Sequence, residues 1–302
     1  MMKKTISQCM IVKNEEKNIR RALSWGKDIM CEQIVVDTGS SDRTVEIARE
    51  MGAKIFFFPW INDFAAAKNF AIDQAKGDWI AFLDADESFT PEDTKKIPEI
   101  LEYVGDDVDG LLTGIVDLDE NNHITSGGTM IRFFVNRPDL RYVGKIHEHL
   151  VRKGRSGLHL TDATEQLAFL HTGYQEQEKK DKSKFERNLN IILEILKQEP
   201  ENCDYLGYLG DTYSSDGKNE EARDAYKKAV AAMPEKLEVY DQRSSYTYTN
   251  LLRVSQCLNA PEAEVEAIYK EAVEKLPKEP DFDCVMGDWY WRKGQYEKAV
   301  QM

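Results

Sequence analysis

The sequence predicts an α/β unit, a mostly parallel doubly wound sheet with an antiparallel extension, followed by an all-α unit of helical repeats. Three observations predict it. Strand-like and helix-like segments alternate through the N-terminal third. The strand-like segments are continuous apolar runs, as expected of strands covered by helices on both faces. From Leu206 onward, small and aromatic residues recur at the spacing of paired helices.

The elements follow in order. Thr5 to Ile11 reads as a first strand, and Glu16 to about Ile29 as a helix with Ile19 and Leu23 on one face. Gln33 to Asp37 is a short buried strand. Ser41 or Asp42 can cap a helix through Met51, with Gly52 as its stop. Lys54 to Phe58 is the third strand, ended by Pro59. Asp63 caps a helix through Ala75, and Trp79 to Leu83 is the fourth strand. Thr90-Pro91-Glu92 opens a further helix with proline in its first turn. Between Asp109 and about Leu170 the pattern shifts to short strands: Leu111 to Leu118, a turn at Asp119–Asn122, Thr129 to Val135, a segment around His147, and Leu167 to Leu170. This is the antiparallel extension.

Helical patterning takes over from about Lys179, so the chain divides into 1–176 and 177–302. Leu206, Leu209-Gly210, Tyr213, Ala222, Tyr226, Ala229 and Pro234 follow the period of about 34 residues of two antiparallel helices that marks tetratricopeptide repeats. Gly210 and Ala222 are small where the helices approach; Tyr213 and Tyr226 fill the space beside them. Tyr269, Ala272 and Pro277 form a second, partial copy. A third runs through Met286-Gly287, Tyr290, Gly294 and Ala299. It stops inside its second helix, which leads us to expect a continuation or a covering partner, because solenoids need capped ends.

Composition excludes several classes. Apolar residues make up 41% and charged residues 31%, the balance of a globular chain and not a disordered one. The formal net charge is -14, and no basic stripe is present to hold a nucleic-acid backbone. The N-terminus has two lysines but no apolar core or cleavage site, so it reads as a strand and not a signal peptide. No window approaches the about 18 apolar residues of a membrane-spanning helix. The 5 cysteines are odd in number, dispersed and free of CxxC pairs, which fits reduced thiols in the cytoplasm.

An acidic chain that binds a phosphorylated ligand needs a cation or a helix N-terminus. In a parallel sheet, ligands sit beyond the C-terminal strand ends. All four of those ends carry carboxylates here: Asn14 to Glu16, Asp37 to Ser40, Pro59 to Asp63 and Asp84 to Glu87. Asp84-Ala85-Asp86 places two carboxylates one residue apart at a strand end, where they point to the same side of the pleat. Such a pair can share Mg²⁺ or Mn²⁺ through oxygen ligands. Taken alone, the motif reads equally as a solvated turn. Asp37 can accept the ring N–H of a pyrimidine, though also that of guanine, and its alternative is a turn or cap. Lys68 can balance phosphate charge or sit on the surface. His171 can ligate a cation or be structural. Glu148, within Gly144-Lys145-Ile146-His147-Glu148-His149, is a candidate general base; the alternative is a salt-bridged loop.

Together CMIVKNEE, IVVDTGSSDRT, PWINDFAAAKNFAI, GDWIAFLDADE, IRFFVNRPDLRYVGKIHEHL and LHTGY resemble glycosyltransferase family 2, the inverting GT-A type of Rossmann-like fold. With the repeats, the chain resembles bacterial peptide S- or O-glycosyltransferases of glycosylated bacteriocins. The resemblance implies that backbone near Met10, Ile11 and Val12, with Glu15, borders the nucleoside. It implies that Asp37 binds the base, Lys68 lies near the diphosphate, and Asp84 and the adjoining Ala85 lie near the ribose and metal. It further implies that Asp86 and His171 ligate Mn²⁺ or Mg²⁺ and that Glu148 is the base. Relatives often carry Arg at the Lys68 position, and Lys makes a point contact in place of a fork. The implied donor is a UDP-hexose. The implied acceptor is a peptide Cys, Ser or Thr held by the repeats, which could instead mediate a homodimer; no nucleic acid and no membrane span are expected. The competing expectation is a degenerate transferase serving as a repeat scaffold. A nucleotidyltransferase would need a Gly-rich loop after the first strand, where this chain has KNEEKN.

Overall fold

A computed structural model describes residues 4–172, 182–237 and 241–302. The chain forms two compact units, Met1–Asp181 and Lys182–Met302. The expected boundary at 176/177, the onset of helix near Lys179, and Gly173-Tyr174 of the LHTGY motif lie outside the described residues.

The first unit is α/β. Strands β1 (Ile6–Val12), β2 (Glu32–Asp37), β3 (Lys54–Phe57) and β4 (Trp79–Phe82) are parallel. β5 (Glu87–Phe89), β6 (Gly110–Leu118), β7 (Ile124–Val135), β10 (Leu160–Asp162) and β11 (Ala168–His171) extend the sheet, while β8 (Leu140–Val143) and β9 (His149–Arg152) form a separate hairpin. The order is β3-β2-β1-β4-β7-β6-β11-β5, with β10 beside β6. β7 runs antiparallel to β4 and β6, and β5 antiparallel to β11. This is the Rossmann-like sheet with an antiparallel extension that the sequence predicts.

The central strand shows why its run of apolar residues is unbroken. Cys9 and Ile11 pack on one layer with Ala71, Ile72 and Phe82; Met10 and Val12 pack on the other with Ile19, Leu23 and Ile47. Both faces are covered, so no alternation is possible. Helices α1 (Ile19–Ser24), α2 (Thr44–Glu50), α3 (Phe64–Asp73) and α4 (Pro91–Tyr103) supply those layers.

Cap chemistry sets several boundaries. Asp63 accepts the Ala66 N–H at 2.8 Å and starts α3. Thr90 accepts the Asp93 N–H at 3.1 Å, with Pro91 first in α4. Three expectations are corrected. The first helix spans six residues and not Glu16 to Ile29, with turns taking over from Trp25. Neither Ser41 nor Asp42 is the cap residue of α2: Arg43 is, without a side-chain bond, and Asp42 instead accepts the Thr44 N–H and hydroxyl just inside the helix. β7 begins five residues earlier than Thr129, with its first half exposed. Ser126, Gly127 and Gly128 there carry no apolar alternation to announce a strand.

The second unit contains α5 (Lys182–Gln198), α6 (Cys203–Ser215), α7 (Asn219–Ala232), α8 (Gln242–Cys257), α9 (Glu262–Lys275), α10 (Asp281–Arg292) and α11 (Tyr296–Gln301). Gly210 explains the closeness of α6 and α7: a Cβ there would lie 2.4 Å from the ring of the fully buried Tyr226. Tyr226 also donates its hydroxyl to Asp211 at 2.8 Å. Gly217 and Gly294 follow α6 and α10 with φ of +75° and +74°, the left-handed region that glycine enters without steric cost. One apolar core runs through α7 to α11, from Tyr226 and Tyr248 to Phe282, Met286 and Trp289.

Candidate active site

The site forms at the C-terminal rim of β1, β2 and β4. Val12 pairs with Asp37, and Cys9 with Phe82, so the ends of β2 and β4 flank β1. Asp37 and the segment after Phe82 are two strand spacings apart, about 10 Å.

The loops after β1 and β2 are tied together. Asn14, at φ +58°, accepts the Ser41 N–H at 2.8 Å, while its own N–H donates to Ser40 Oγ at 2.9 Å. The Glu15 N–H donates to Thr44 Oγ1 at 2.7 Å, and Glu15 Oε2 accepts from Asn18 at 2.9 Å. Asp37 is buried, and its carboxylate accepts the Gly39 and Ser40 N–H groups at 3.1 Å. Its turn-forming role is therefore visible directly. Met10 and Val12 are buried core side chains, and the Val12 carbonyl accepts from Thr38. Ala85 turns its methyl into the same core cluster. These residues can border a ligand only through their backbone.

β4 ends at Phe82, so Asp84 and Asp86 lie in a turn and not on a continuing pleat. The expectation that pleating aims both carboxylates to one side is corrected. The turn closes through Glu87 N–H to the Asp84 carbonyl at 3.1 Å and Asp84 N–H to Glu87 Oε2 at 3.0 Å. Each carboxylate then has its own partners. Asp84 accepts from Arg132 Nη2 at 3.2 Å and lies 3.9 Å from Lys68 Nζ. Asp86 Oδ2 lies 3.4 Å from His171 Nε2.

Strand register explains the second pairing. β5 follows the turn at once and pairs with β11, with Glu87 opposite His171. On its other side β11 pairs with β6, with His171 opposite Asp117. His171 Nδ1 is thus 2.8 Å from Asp117 Oδ1, and Nε2 faces Asp86. Burial alone would pull the imidazole down, but the carboxylates of Asp86 and Asp117 outweigh it and raise it to about 9.

Lys68 is not a surface residue. It is 5% exposed, with Nζ 2.7 Å from Glu148 Oε1 and 5.1 Å from the ring centres of both Phe82 and Tyr142. Burial opposes its charge, yet Asp84 and Glu148 hold its pKa above the usual lysine value. Burial likewise opposes ionisation of Asp84, but Lys68 and Arg132 keep its carboxyl below the usual range. The Glu148 loop is fastened to α3: the Asn69 amide exchanges two hydrogen bonds with the Tyr142 backbone, at 2.8 and 2.9 Å, and the Phe64 N–H donates to the Lys145 carbonyl at 2.8 Å. His147 sits at φ +54° beside Glu148.

The structure therefore brings Lys68, Asp84 and Glu148 together, and Asp86 with His171. Sequence reasoning placed Glu87 at the rim without giving it a partner, and missed Arg132 and Asp117. Arg132 stood unremarked in IRFFV, where the flanking apolar residues were a signal that its side chain is enclosed.

Among the described residues, no group of three or more His, Cys, Asp or Glu side chains converges on one metal position. Asp86 and His171 offer two ligands, and the Asp117 contact orients the imidazole as carboxylate partners of metal-bound histidines do. A two-ligand set fits Mg²⁺ or Mn²⁺ held jointly with substrate phosphates and water.

Residues 7–152 match the model of Glycosyl transferase family 2. The SPbeta prophage-derived glycosyltransferase SunS of Bacillus subtilis is 33% identical over 231 residues, covering 75% of this chain and 53% of the relative. A TPR repeat-containing protein of Synechococcus elongatus is 40% identical over 143 residues, 47% of this chain and 34% of that one. A crystal structure of S. aureus TarS is 15% identical, covers 87% of this chain and 54% of that chain, and has a TM-score of 0.47. The chain spans about half the length of SunS. Built on this sheet, with the acidic turn at its rim, residues 7–152 are a domain of glycosyl transferase family 2.

Proposed function

We propose that the chain is an inverting glycosyltransferase that moves a hexose from a UDP-sugar to an acceptor by single displacement. The observation that carries the reading is Lys68, one buried cation joining Glu148 to Asp84, the first residue of the acidic turn. A candidate base and a candidate donor site are thereby held side by side.

In this reading Asp37 binds the base, and Glu15 and the backbone of Met10, Ile11 and Val12 border the nucleoside. Asp84 and the Ala85 backbone lie near the ribose and metal, and Lys68 near the diphosphate. Asp86 and His171 would hold Mn²⁺ or Mg²⁺, which supplies positive charge for a departing diphosphate. Lys68 stays charged and adds to that field. Glu148 accepts the proton of the acceptor hydroxyl or thiol as its oxygen or sulfur bonds to the anomeric carbon, and the bond from that carbon to the diphosphate oxygen breaks. The 1–176 unit is the catalytic domain in this proposal. The 177–302 unit holds the acceptor, a peptide with a reactive Cys, Ser or Thr, because concave solenoid surfaces suit extended chains. The reaction takes place in the cytoplasm. Among the described residues no helix is long and apolar enough to cross a membrane.

The test is release of nucleotide from a panel of nucleotide sugars with Mn²⁺ or Mg²⁺. Release from a UDP-hexose, lost in Asp86→Asn, is expected. Full activity in Asp86→Asn would remove the metal assignment, and failure to bind any nucleoside diphosphate would favour a scaffold.

A further inference from the structure

We propose that Arg132 is a positioning residue for the transfer reaction: it fixes the Asp84–Glu87 turn, and thereby the meeting of Asp86 with His171, without touching the donor. The inference rests on the transferase reading above.

Four observations converge on this side chain. First, it is the extra residue of a β-bulge. Along the β6–β7 ladder Leu111 pairs with Phe133 but Leu112 pairs with Ile131, so Arg132 has no partner across the strands. Bulges beside active sites re-aim a side chain that regular pleating would direct elsewhere. Second, the residue is 5% exposed, a rare state for arginine. Third, it reaches both ends of the acidic turn. Nη2 donates to Asp84 Oδ2 at 3.2 Å and to Glu87 Oε1 in a still shorter contact. Fourth, it lies 5.2 Å from the centre of the Phe169 ring, on β11, two residues before His171. One side chain therefore braces the turn that carries Asp86 against the strand that carries His171.

A purely stabilising role explains this arrangement poorly. Replacing a buried ion pair with apolar side chains of similar volume is often neutral or favourable to stability. Here the buried Nε of the guanidinium also has no hydrogen-bond partner among the described residues. Its placement serves the two carboxylates at the expense of its own hydrogen bonding. Arg132 also completes a row of alternating charge: Glu148, Lys68, Asp84, Arg132, Glu87. Through that row the loop of the proposed base and the proposed metal turn share one rigid frame.

The test compares wild type with Arg132→Lys, Arg132→Met and the double variant Glu87→Gln/Arg132→Met. Three readouts are needed: hydrolysis of the nucleotide sugar that wild type consumes, Mn²⁺ titration in the presence of UDP followed by manganese EPR, and thermal unfolding. The double variant removes both buried charges together and is expected to fold with a melting temperature near that of wild type. In it, kcat falls and the Mn²⁺ concentration at half-saturation rises, each by about 10–100-fold, the usual consequence of losing an outer partner of a metal site. KM for the sugar nucleotide at saturating Mn²⁺ rises by less than kcat falls, since Arg132 acts on the donor only through Asp84. Arg132→Lys, which keeps the charge on a shorter side chain without the flat guanidinium, falls between. A folded double variant with kcat and Mn²⁺ demand close to wild type overturns the role. So does a raised KM with unchanged kcat, which would make Arg132 a direct donor ligand. If none of the three variants folds, the residue is structural and the inference falls. Wild type that neither binds Mn²⁺ with UDP nor hydrolyses any nucleotide sugar overturns the transferase reading and this role with it.

Discussion

Lys68 Nζ lies 2.7 Å from Glu148 Oε1, inside a shell formed by the Phe82 and Tyr142 rings. The ammonium comes from α3, and the carboxylate from the loop between β8 and β9. Among the described residues neither has another charge partner as near: the Asp84 carboxylate is 3.9 Å from the same nitrogen. This contact joins an element of the sheet's helical layer to the loop that our reading assigns to the acceptor. In our reading it also places a positive charge where the reaction's negative charge would develop.

Replacing Lys68 with Met tests that contact. Glu148 would stay largely enclosed, 13% exposed at its side chain, with no cation beside it. Breaking a buried pair from one side costs about 3–5 kcal/mol. We expect a loss at the lower end, because Asp84 remains 42% exposed and can be hydrated. Urea unfolding of Lys68→Met against wild type measures it. A loss under about 1 kcal/mol would match an exposed ion pair and would contradict the burial described here.

Glu148→Gln keeps shape and hydrogen-bonding capacity but cannot take a proton. Transfer to acceptor is expected to fall about 10²–10⁴-fold, the usual contribution of a positioned general base. Binding of UDP with Mn²⁺, followed by calorimetry, is expected to persist. Undiminished transfer would move the base elsewhere, His147 and His149 being its titratable neighbours in the chain.

Much of this arrangement is legible before folding. Asp63, Thr90 and Pro91 announce their helices through cap chemistry, and the strand-end carboxylates mark the rim. Other parts are not. β5 is three residues long and starts directly after the acidic turn, too short to show a period, yet its register brings His171 to Asp86. The enclosure of Lys68 follows from helix phase: Ala65, Ala71 and Ile72, three or four residues away on the same face, are all buried. That stripe was readable, but a lysine on it reads first as solvated. Arg132 depends on a one-residue bulge, which no local pattern encodes.

In the helical unit, Gly210→Ala tests how closely α6 and α7 approach. Alanine would normally gain helix propensity of up to about 1 kcal/mol over glycine. Here the added methyl meets the Tyr226 ring at 2.4 Å, and overpacking of a filled core costs about 1–3 kcal/mol. Net destabilisation is expected, seen as a lower thermal midpoint of the helical signal. A raised midpoint would mean that the helices have room to part.

Acid should loosen the third helical hairpin. Glu262 bonds Lys293 at 2.6 Å, Lys298 at 2.7 Å and Gln295 at 3.1 Å, tying α9 to α10 and α11. The two lysines hold its carboxyl down, to about 2. A depressed carboxylate contributes stability that is complete above its ordinary value near 4.5 and is lost as pH falls toward about 2. Glu262→Gln should therefore be less stable than wild type at neutral pH, with the gap closing across that acid window. Because the group is solvated, the gap is small. Urea midpoints at several pH values read it, and a gap independent of pH would assign the effect to packing.

Asp117→Asn tests whether strand register, and not only the acidic turn, builds the metal position. Asp117 stands opposite His171 on β6 and accepts from its Nδ1 at 2.8 Å, while Ser126 donates to the other oxygen. That contact fixes which ring nitrogen turns to Asp86. An asparagine can present its NH₂ to Nδ1 and favour the opposite tautomer, with the proton on Nε2 facing Asp86. The fold should survive, because the side chain keeps its shape and its bond to Ser126. Mn²⁺ affinity in the presence of UDP is then expected to drop about 10–100-fold, measured by manganese EPR titration. Equal affinity in the two proteins would mean that His171 is held by Asp86 alone and that the β6–β11 register contributes nothing to the site.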